Sequence, residues 1–324
     1  MKRREFVNAL AGTLAGLRAG NAMAAKGKNI EWAFSLGLWG HLKKVPFTEV
    51  LDVMKDTGFR GVRLTGFPGV LKTYDLSISF VQKELEKRDL RIATISYGGP
   101  AWDETQHQKM EKSARAAMSF LQNFGATELV VFSPGRLGPG RRPLRKIEVP
   151  EYIVRSCAFW NRLGDVAKEY GFRAGLHNHL NQIVESQDEV ELYLKHTDPK
   201  RFHFSPDTAH LHLAGCDVAE LYKNHGDRLN FMDYKDARIT PARSDITLAG
   251  GRVLKANTAS ATFMNSIYDL GDGEINFPAL HKVLKKRKYK GWICVDLDHV
   301  RVSPRHSFGR SMSYVRERLE RIYR

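Results

Sequence analysis

Short apolar runs alternate with amphipathic stretches along most of the chain. Trp32 to Leu38 reads as a first strand. Phe47 to Asp56 places Val50, Leu51 and Met54 on one helical face, and Gly58 closes that helix. Gly61 to Leu64 and Arg91 to Ser96 read as the next two strands, with Ile78 to Lys87 a helix between them. After Gly98-Gly99-Pro100 a helix runs from about Glu104 to Phe124 and stops at Gly125. Glu128 to Phe132 is a fourth strand. Behind it come a long basic loop rich in glycine and proline and a helix over Tyr152 to Tyr170, closed by Gly171.

Three further runs each end in groups that bind metals or move protons. Phe172-Arg173-Ala174-Gly175-Leu176 leads into His177-Asn178-His179. Phe202-His203-Phe204 leads into Asp207 and His210, and Leu229-Asn230-Phe231-Met232 into Asp233, Lys235 and Asp236. Helices near Asp188 to Lys195 and Val218 to Tyr222 separate them. A weakly periodic excursion from Asp236 to Asp272 precedes a helix over Phe277 to Lys286. Gly291-Trp292-Ile293-Cys294-Val295 then forms an eighth strand ending in Asp296-Leu297-Asp298-His299, and Ser307 to Tyr323 closes the chain as a helix. Eight strand–helix units in this length predict an α/β fold, one (β/α)8 TIM barrel over residues 29–324. In such a barrel the C-terminal strand ends share one face, so these polar groups converge.

At 324 residues and 42% hydrophobic the chain can bury a full core. Its three cysteines, Cys157, Cys216 and Cys294, are widely spaced and odd in number, which indicates neither a disulfide framework nor a zinc ribbon. The first 25 residues read as an export signal of the twin-arginine type. Lys2-Arg3-Arg4-Glu5-Phe6 precedes an Ala/Gly/Leu-rich stretch ending in Ala22-Met23-Ala24-Ala25, and the expected destination is periplasmic or otherwise extracytoplasmic. No other apolar run approaches the ~20 residues of a membrane span. The formal charge is +15, and the leader accounts for three of it, with Lys2, Arg3, Arg4 and Arg18 against Glu5. The basic clusters at Arg136 to Lys146 and Lys285 to Lys290 lack interleaved aromatics apart from Tyr289, so they read as solvated surface and not as a nucleic-acid groove. A homo-oligomer is compatible with the sequence.

Four strand ends therefore carry candidate chemistry: His177 and His179, Asp207 and His210, Asp233 with Lys235, and Asp296 with Asp298. One imidazole with several carboxylates suits a single divalent ion, with the oxygen-rich set favouring manganese over cobalt, zinc or iron. Each residue also has an ordinary reading. Asp207 before Thr208 suits a helix N-cap, and Asp236 and Asp298 suit loops. Recurrence at one end of strands five to eight is what favours a shared site.

These residues carry a family resemblance. Asp207-Thr208-Ala209-His210-Leu211 with Gly215 and Asp217, Lys235-Asp236, Gly271-Asp272-Gly273-Glu274-Ile275-Asn276-Phe277, and Tyr289-Lys290-Gly291-Trp292 ending in Val295-Asp296-Leu297-Asp298 resemble the xylose isomerase-like sugar isomerase/epimerase superfamily. The branch nearest to them contains inosose dehydratases and keto-sugar lyases. The resemblance implies one divalent metal on strands five to eight, whose ligand positions fall on His177, Asp207, Asp233 and Asp296. Only Asp207 keeps the usual residue of a Glu, Asp, His, Glu set. Shortening the strand-eight glutamate to Asp296 disfavours a symmetric two-base epimerase.

The chemistry this implies is proton abstraction beside a carbonyl of a keto-sugar or related polyol, by a lyase, dehydratase or isomerase. His177 or His179 is the expected base and Lys235 the oxyanion partner. His210, Asp298 and Trp39 are assigned to the carbohydrate substrate. The alternatives are a sugar-binding barrel without catalysis and an endonuclease IV-like repair enzyme, which needs more His and Glu ligands than this chain offers. A Ser or Cys hydrolase has no GxSxG elbow to rest on. For the leader, Arg3→Lys/Arg4→Lys should abolish export; equal extracytoplasmic amounts of variant and parent on cell fractionation would count against the twin-arginine route.

Overall fold

In a strand, side chains at i and i+2 share a face, so an apolar run in a barrel splits between an outer face under the helices and an inner face. The computed structural model describes residues 28–41, 45–248 and 250–324, and the leader therefore lies outside the described residues. Its barrel strands are β1 (Ile30–Ser35), β2 (Gly61–Leu64), β3 (Arg91–Gly98), β4 (Glu128–Phe132), β5 (Arg173–His177), β6 (His203–Phe204), β7 (Met232–Tyr234) and β8 (Gly291–Val295). They pair in parallel in the order β6-β5-β4-β3-β2-β1-β8-β7. Bridges Phe204↔Leu229 and Asp207↔Asp233 join β6 to β7 and close the ring.

The expected helices are present with ends moved by a few residues. The one expected over Glu104 to Phe124 begins as a 3-10 turn, Glu104–Gln106, and continues as His107–Gln122. The last helix is Pro304–Tyr314, followed by a π-type turn to Leu319. The first strand is shorter than expected, because the chain turns into a 3-10 segment at Gly37–His41. The excursion after β7 is also more ordered than its weak periodicity suggested. It holds the two-stranded pairs Asp236–Ala237 with Ile267–Tyr268 and Ile246–Thr247 with Val253–Leu254, and the helix Ala259–Asn265. Its base is pinned by Asp236, whose carboxylate accepts from the backbone N–H of Ala237, Gly271, Gly273 and Ile275. The loop reading of Asp236 is thus right, and its role is structural. No helix among the described residues is long and apolar enough to cross a membrane.

Inside the ring, Ala33, Ala93, Val130, Phe231 and Cys294 form a small apolar plug. Below it, at the N-terminal ends of the strands, Asn230 reaches across the floor and donates to Glu128 at 2.9 Å. Gly175 permits this, since a Cβ there would stand 2.1 Å from Asn230 Oδ1. Burial pushes the Glu128 carboxyl up to about 7 against the pull of Arg173 and the Asn230 amide. An acid with a raised folded pKa binds more protons folded than unfolded between the ordinary value near 4.5 and about 7, so its contribution to stability is lost as pH rises through that window. Urea unfolding at pH 5 and pH 8 should show the parent losing up to about 3 kcal/mol more than Glu128→Gln across this interval. Equal losses would show that Glu128 does not titrate there.

Candidate active site

At the C-terminal ends of the strands, Arg63 of β2, His177 of β5, Asp233 of β7 and Asp296 just after β8 bring buried polar side chains into the barrel mouth. Asp207 begins the helix Thr208–Leu213 and works with both oxygens. Oδ1 accepts from the N–H of Ala209 and His210 at 3.0 and 3.2 Å, capping the helix, while Oδ2 turns inward, 2.9 Å from Lys235 Nζ. The cap reading of Asp207 holds, and its second oxygen faces the barrel mouth. Asn178, between the two histidines, clamps the Asp207 backbone from both sides, donating to its C=O and accepting from its N–H.

Lys235 is buried among carboxylates. Its ammonium lies 2.9 Å from Asp207, 2.7 Å from Asp296 and 2.7 Å from Asp298, and 3.3 Å from His210 Nε2. Arg63 supplies a second buried cation, contacting Asp233 through Nη1, Ser35 Oγ at 2.9 Å and Asp296 at 3.3 Å through Nη2. Burial opposes both charges, and the aspartates more than offset it, so each base stays protonated well above its usual range. For Asp296 burial pushes the carboxyl up, but Lys235 and Arg63 together hold it well below normal. Arg63 is the residue that sequence reasoning missed. Its signal is a lone charge between Val62 and Leu64 in a four-residue apolar strand, at the position that must face inward.

If all four aspartates ionise, two cations leave two negative charges over. Burial works against this excess, raising the Asp207 carboxyl and pushing Asp233 up to about 7 despite Arg63. Burial also lowers His177 to about 3, so its ring is neutral and its lone pair free. Donor atoms of His177, Asp207 and Asp233 lie within 4.8 Å of one another. Among the described residues Asp233 Oδ1 has no hydrogen-bond partner, Asp207 Oδ2 is held only by the Lys235 ammonium at 2.9 Å, and His177 Nδ1 lies 3.1 Å from Asp233 Oδ2. A divalent ion fits this donor set of one imidazole and two carboxylates and the excess of acids over cations. Asp296 stands outside this three-donor group, held by the two cations.

The remaining predicted residues fall around this centre. The His179 ring packs on His210 at 3.6 Å between centroids and its Nδ1 lies 2.8 Å from the Leu180 carbonyl. His210 is fully buried, and Phe263 of the excursion stacks on its other face at 5.2 Å. The excursion thus covers one side of the site. Asp298 has 19% of its side chain exposed and is the most open of the acidic groups. Trp39, expected at the substrate, is 5% exposed and stacked on Phe34 and Phe308, and it also borders a cavity between the ends of β1 and β2. Phe132, also unforeseen, sets its edge against His177 at 4.6 Å.

A family model described as Xylose isomerase-like TIM barrel matches residues 51–318. An inosose dehydratase of Bacillus velezensis is 29% identical over 249 residues, which is 74% of this chain and 78% of that protein. Among solved structures, the IOLI protein with a bound zinc atom superposes with a TM-score of 0.66 at 14% identity, covering 90% of this chain and 99% of the other. The probable 3-DHS dehydratase AsbF of Bacillus anthracis superposes with a TM-score of 0.65, also at 14% identity, covering 89% and 99%.

Removing one member of a buried ion pair strands the other, at a cost of about 3–5 kcal/mol. Arg63→Met should lose stability on that scale in denaturant unfolding, and Arg63→Met/Asp233→Leu should lose less than the sum of the single variants. A single-variant loss under about 1 kcal/mol would show that the guanidinium does not neutralise the site.

Proposed function

The chain belongs to the xylose isomerase-like TIM barrel family, and from that premise we propose that it is a divalent-metal-dependent carbohydrate enzyme acting on a keto-sugar or related polyol by proton abstraction beside a carbonyl. The observation that carries this reading is the convergence of buried donor atoms on His177, Asp207 and Asp233 within 4.8 Å of one another, next to an ammonium and a pair of imidazoles in ring contact. Similarity to an inosose dehydratase, and in fold to a probable 3-DHS dehydratase, supports elimination over isomerisation. A bound divalent ion supplies Lewis-acid polarisation of the substrate carbonyl or adjacent hydroxyl.

The chain's own groups do the rest. His179, half-buried beside the centre, donates from Nδ1 to the Leu180 carbonyl, which fixes the tautomer with a free lone pair on Nε2. That nitrogen is the base that takes the proton next to the carbonyl. Lys235, its ammonium held by Asp207, Asp296 and Asp298, donates to the oxygen on which negative charge develops. His210 is wedged between His179 and Phe263 and orients the base. A rival reading, a sugar-binding barrel without turnover, rests on Arg63 and Lys235 already neutralising much of the acidic charge.

Metal analysis joined to activity screening separates the two. Purified protein supplemented with manganese, cobalt or zinc should hold one ion per chain and turn over at least one substrate among inososes and keto-sugars. Asp207→Asn, which keeps the cap acceptor, should lose ion and activity together while the circular dichroism spectrum persists. His179→Ala should keep the ion and lose about 10²–10⁴ in kcat. Protein that stays empty after supplementation would sink the metal-dependent reading.

A further inference from the structure

Two cavities open at the barrel mouth beside the charged centre, on the half of the ring that supplies no donor to it. One, about 520 Å³, lies between the ends of β1 and β2 and is bordered by Gly37, Trp39 and Thr65. It reaches the centre directly, because a Cβ on Gly37 would stand 3.5 Å from Asp296 Oδ1. The other, about 640 Å³, lies between the loops that follow β3 and β4. Its walls are Phe132, Trp102, Pro100 and Leu137, and its polar groups include Gln106 and Arg141. Cavities of about 300–1,000 Å³ with aromatic walls and a few polar groups are the usual form of small-molecule sites.

The position of Phe132 connects the second cavity to the chemistry. Its ring touches His177 at 4.6 Å and lies 6.2 Å from His179, while also lining the cavity. Phe132 thus stands between the cavity and the histidines, its ring centroid 6.2 Å from that of the proposed base. Trp102 is 8% exposed and its indole N–H has no partner among the described residues. On the loop after β4, Arg136 is paired with Glu185 and Glu189, and Arg142 and Arg145 with Glu148. Arg141 has no acidic partner among the described residues and remains a free donor at the rim. An added Cβ at Gly135 would meet no atom within 4 Å, which marks how open this rim is.

We infer that the β3–β4 cavity is a second-ring subsite, so that the substrate is a glycoside, a sugar whose reacting ring sits at Lys235 and His179 and whose glycosidically linked sugar or aryl ring lies against Phe132 and Trp102. This rests on the proposed function for the reacting ring alone. Phe132 borders both the histidines and the cavity, so a ring linked to one held at Lys235 and His179 has this aromatic wall to lie against. Aromatic faces take the flat, apolar side of such a ring, and Gln106 and Arg141 are the donors its oxygens meet.

Titration calorimetry on the full chain with D-glucose, D-galactose, their phenyl β-glycosides, cellobiose and lactose tests the inference. At least one glycoside should bind about tenfold or more tighter than its parent hexose. Leu137→Trp, which fills the cavity, and Trp102→Ala, which removes a wall, should each erase that preference in protein whose circular dichroism matches the parent. A phenyl-only preference identifies an aryl ring, and a preference for cellobiose or lactose identifies a sugar. Binding of every glycoside within about twofold of its hexose, absence of glycoside binding, or a preference that survives both variants overturns the subsite. Turnover of free keto-sugars without a glycoside preference would remove the subsite and leave the proposed reaction standing. Glycoside preference in a protein without turnover would do the reverse.

Discussion

Two buried cations hold the mouth of this barrel together. Arg63 on β2 reaches across to Asp233 on β7 and Asp296 after β8, while Lys235 after β7 gathers Asp207, Asp296 and Asp298. Strand ends on opposite sides of the ring are thus tied by charge in a place where burial alone would forbid either sign. A pair of this kind is a weak source of net stability but a severe penalty when broken. The network therefore acts as a constraint on composition: losing either cation strands buried carboxylates that it holds directly. It also leaves acids in excess of cations, and it is there that His177, Asp207 and Asp233 meet.

Several side chains serve the fold and the site at once. Asp207 caps a helix with one oxygen and enters the charged centre with the other. Thr208 bonds the backbone of Lys235 through its hydroxyl, in both directions, and so fixes where the ammonium stands. Asp236 folds the Gly271 to Ile275 loop around its carboxylate, which anchors the excursion whose Phe263 covers His210. Loosening any of these would be felt in the geometry of the site through one or two contacts, because packed interiors shift in discrete steps.

The mouth is divided by strand. β5 to β8 bring the donors and the acids; the loops after β1 to β4 bring cavity walls, with Arg63 the one charge among the described residues that crosses from that half. Phe132 marks the boundary, its ring against His177 on one side and lining a cavity on the other. Chemistry on one half and recognition on the other lets substrate preference change by loop substitution while the charged centre stays intact.

Period-two runs, glycine stops and amphipathic helices are local properties, so the eight units and the strand-end positions of His177, Asp207, Asp233 and Asp296 could be read from the chain alone. Parity within each run also decides which residues face inward, and Arg63 between Val62 and Leu64 was legible on that ground although it was passed over. Who meets whom across the ring is set by closure, strand stagger and the reach of each side chain, none of which is written in local sequence. Thus tertiary structure alone decided that Lys235 sits among three aspartates and that Asp296 answers two cations while Asp233 keeps a free oxygen. It alone decided as well that Trp39 stacks in the core while Phe132, an unremarked strand end, borders the histidines.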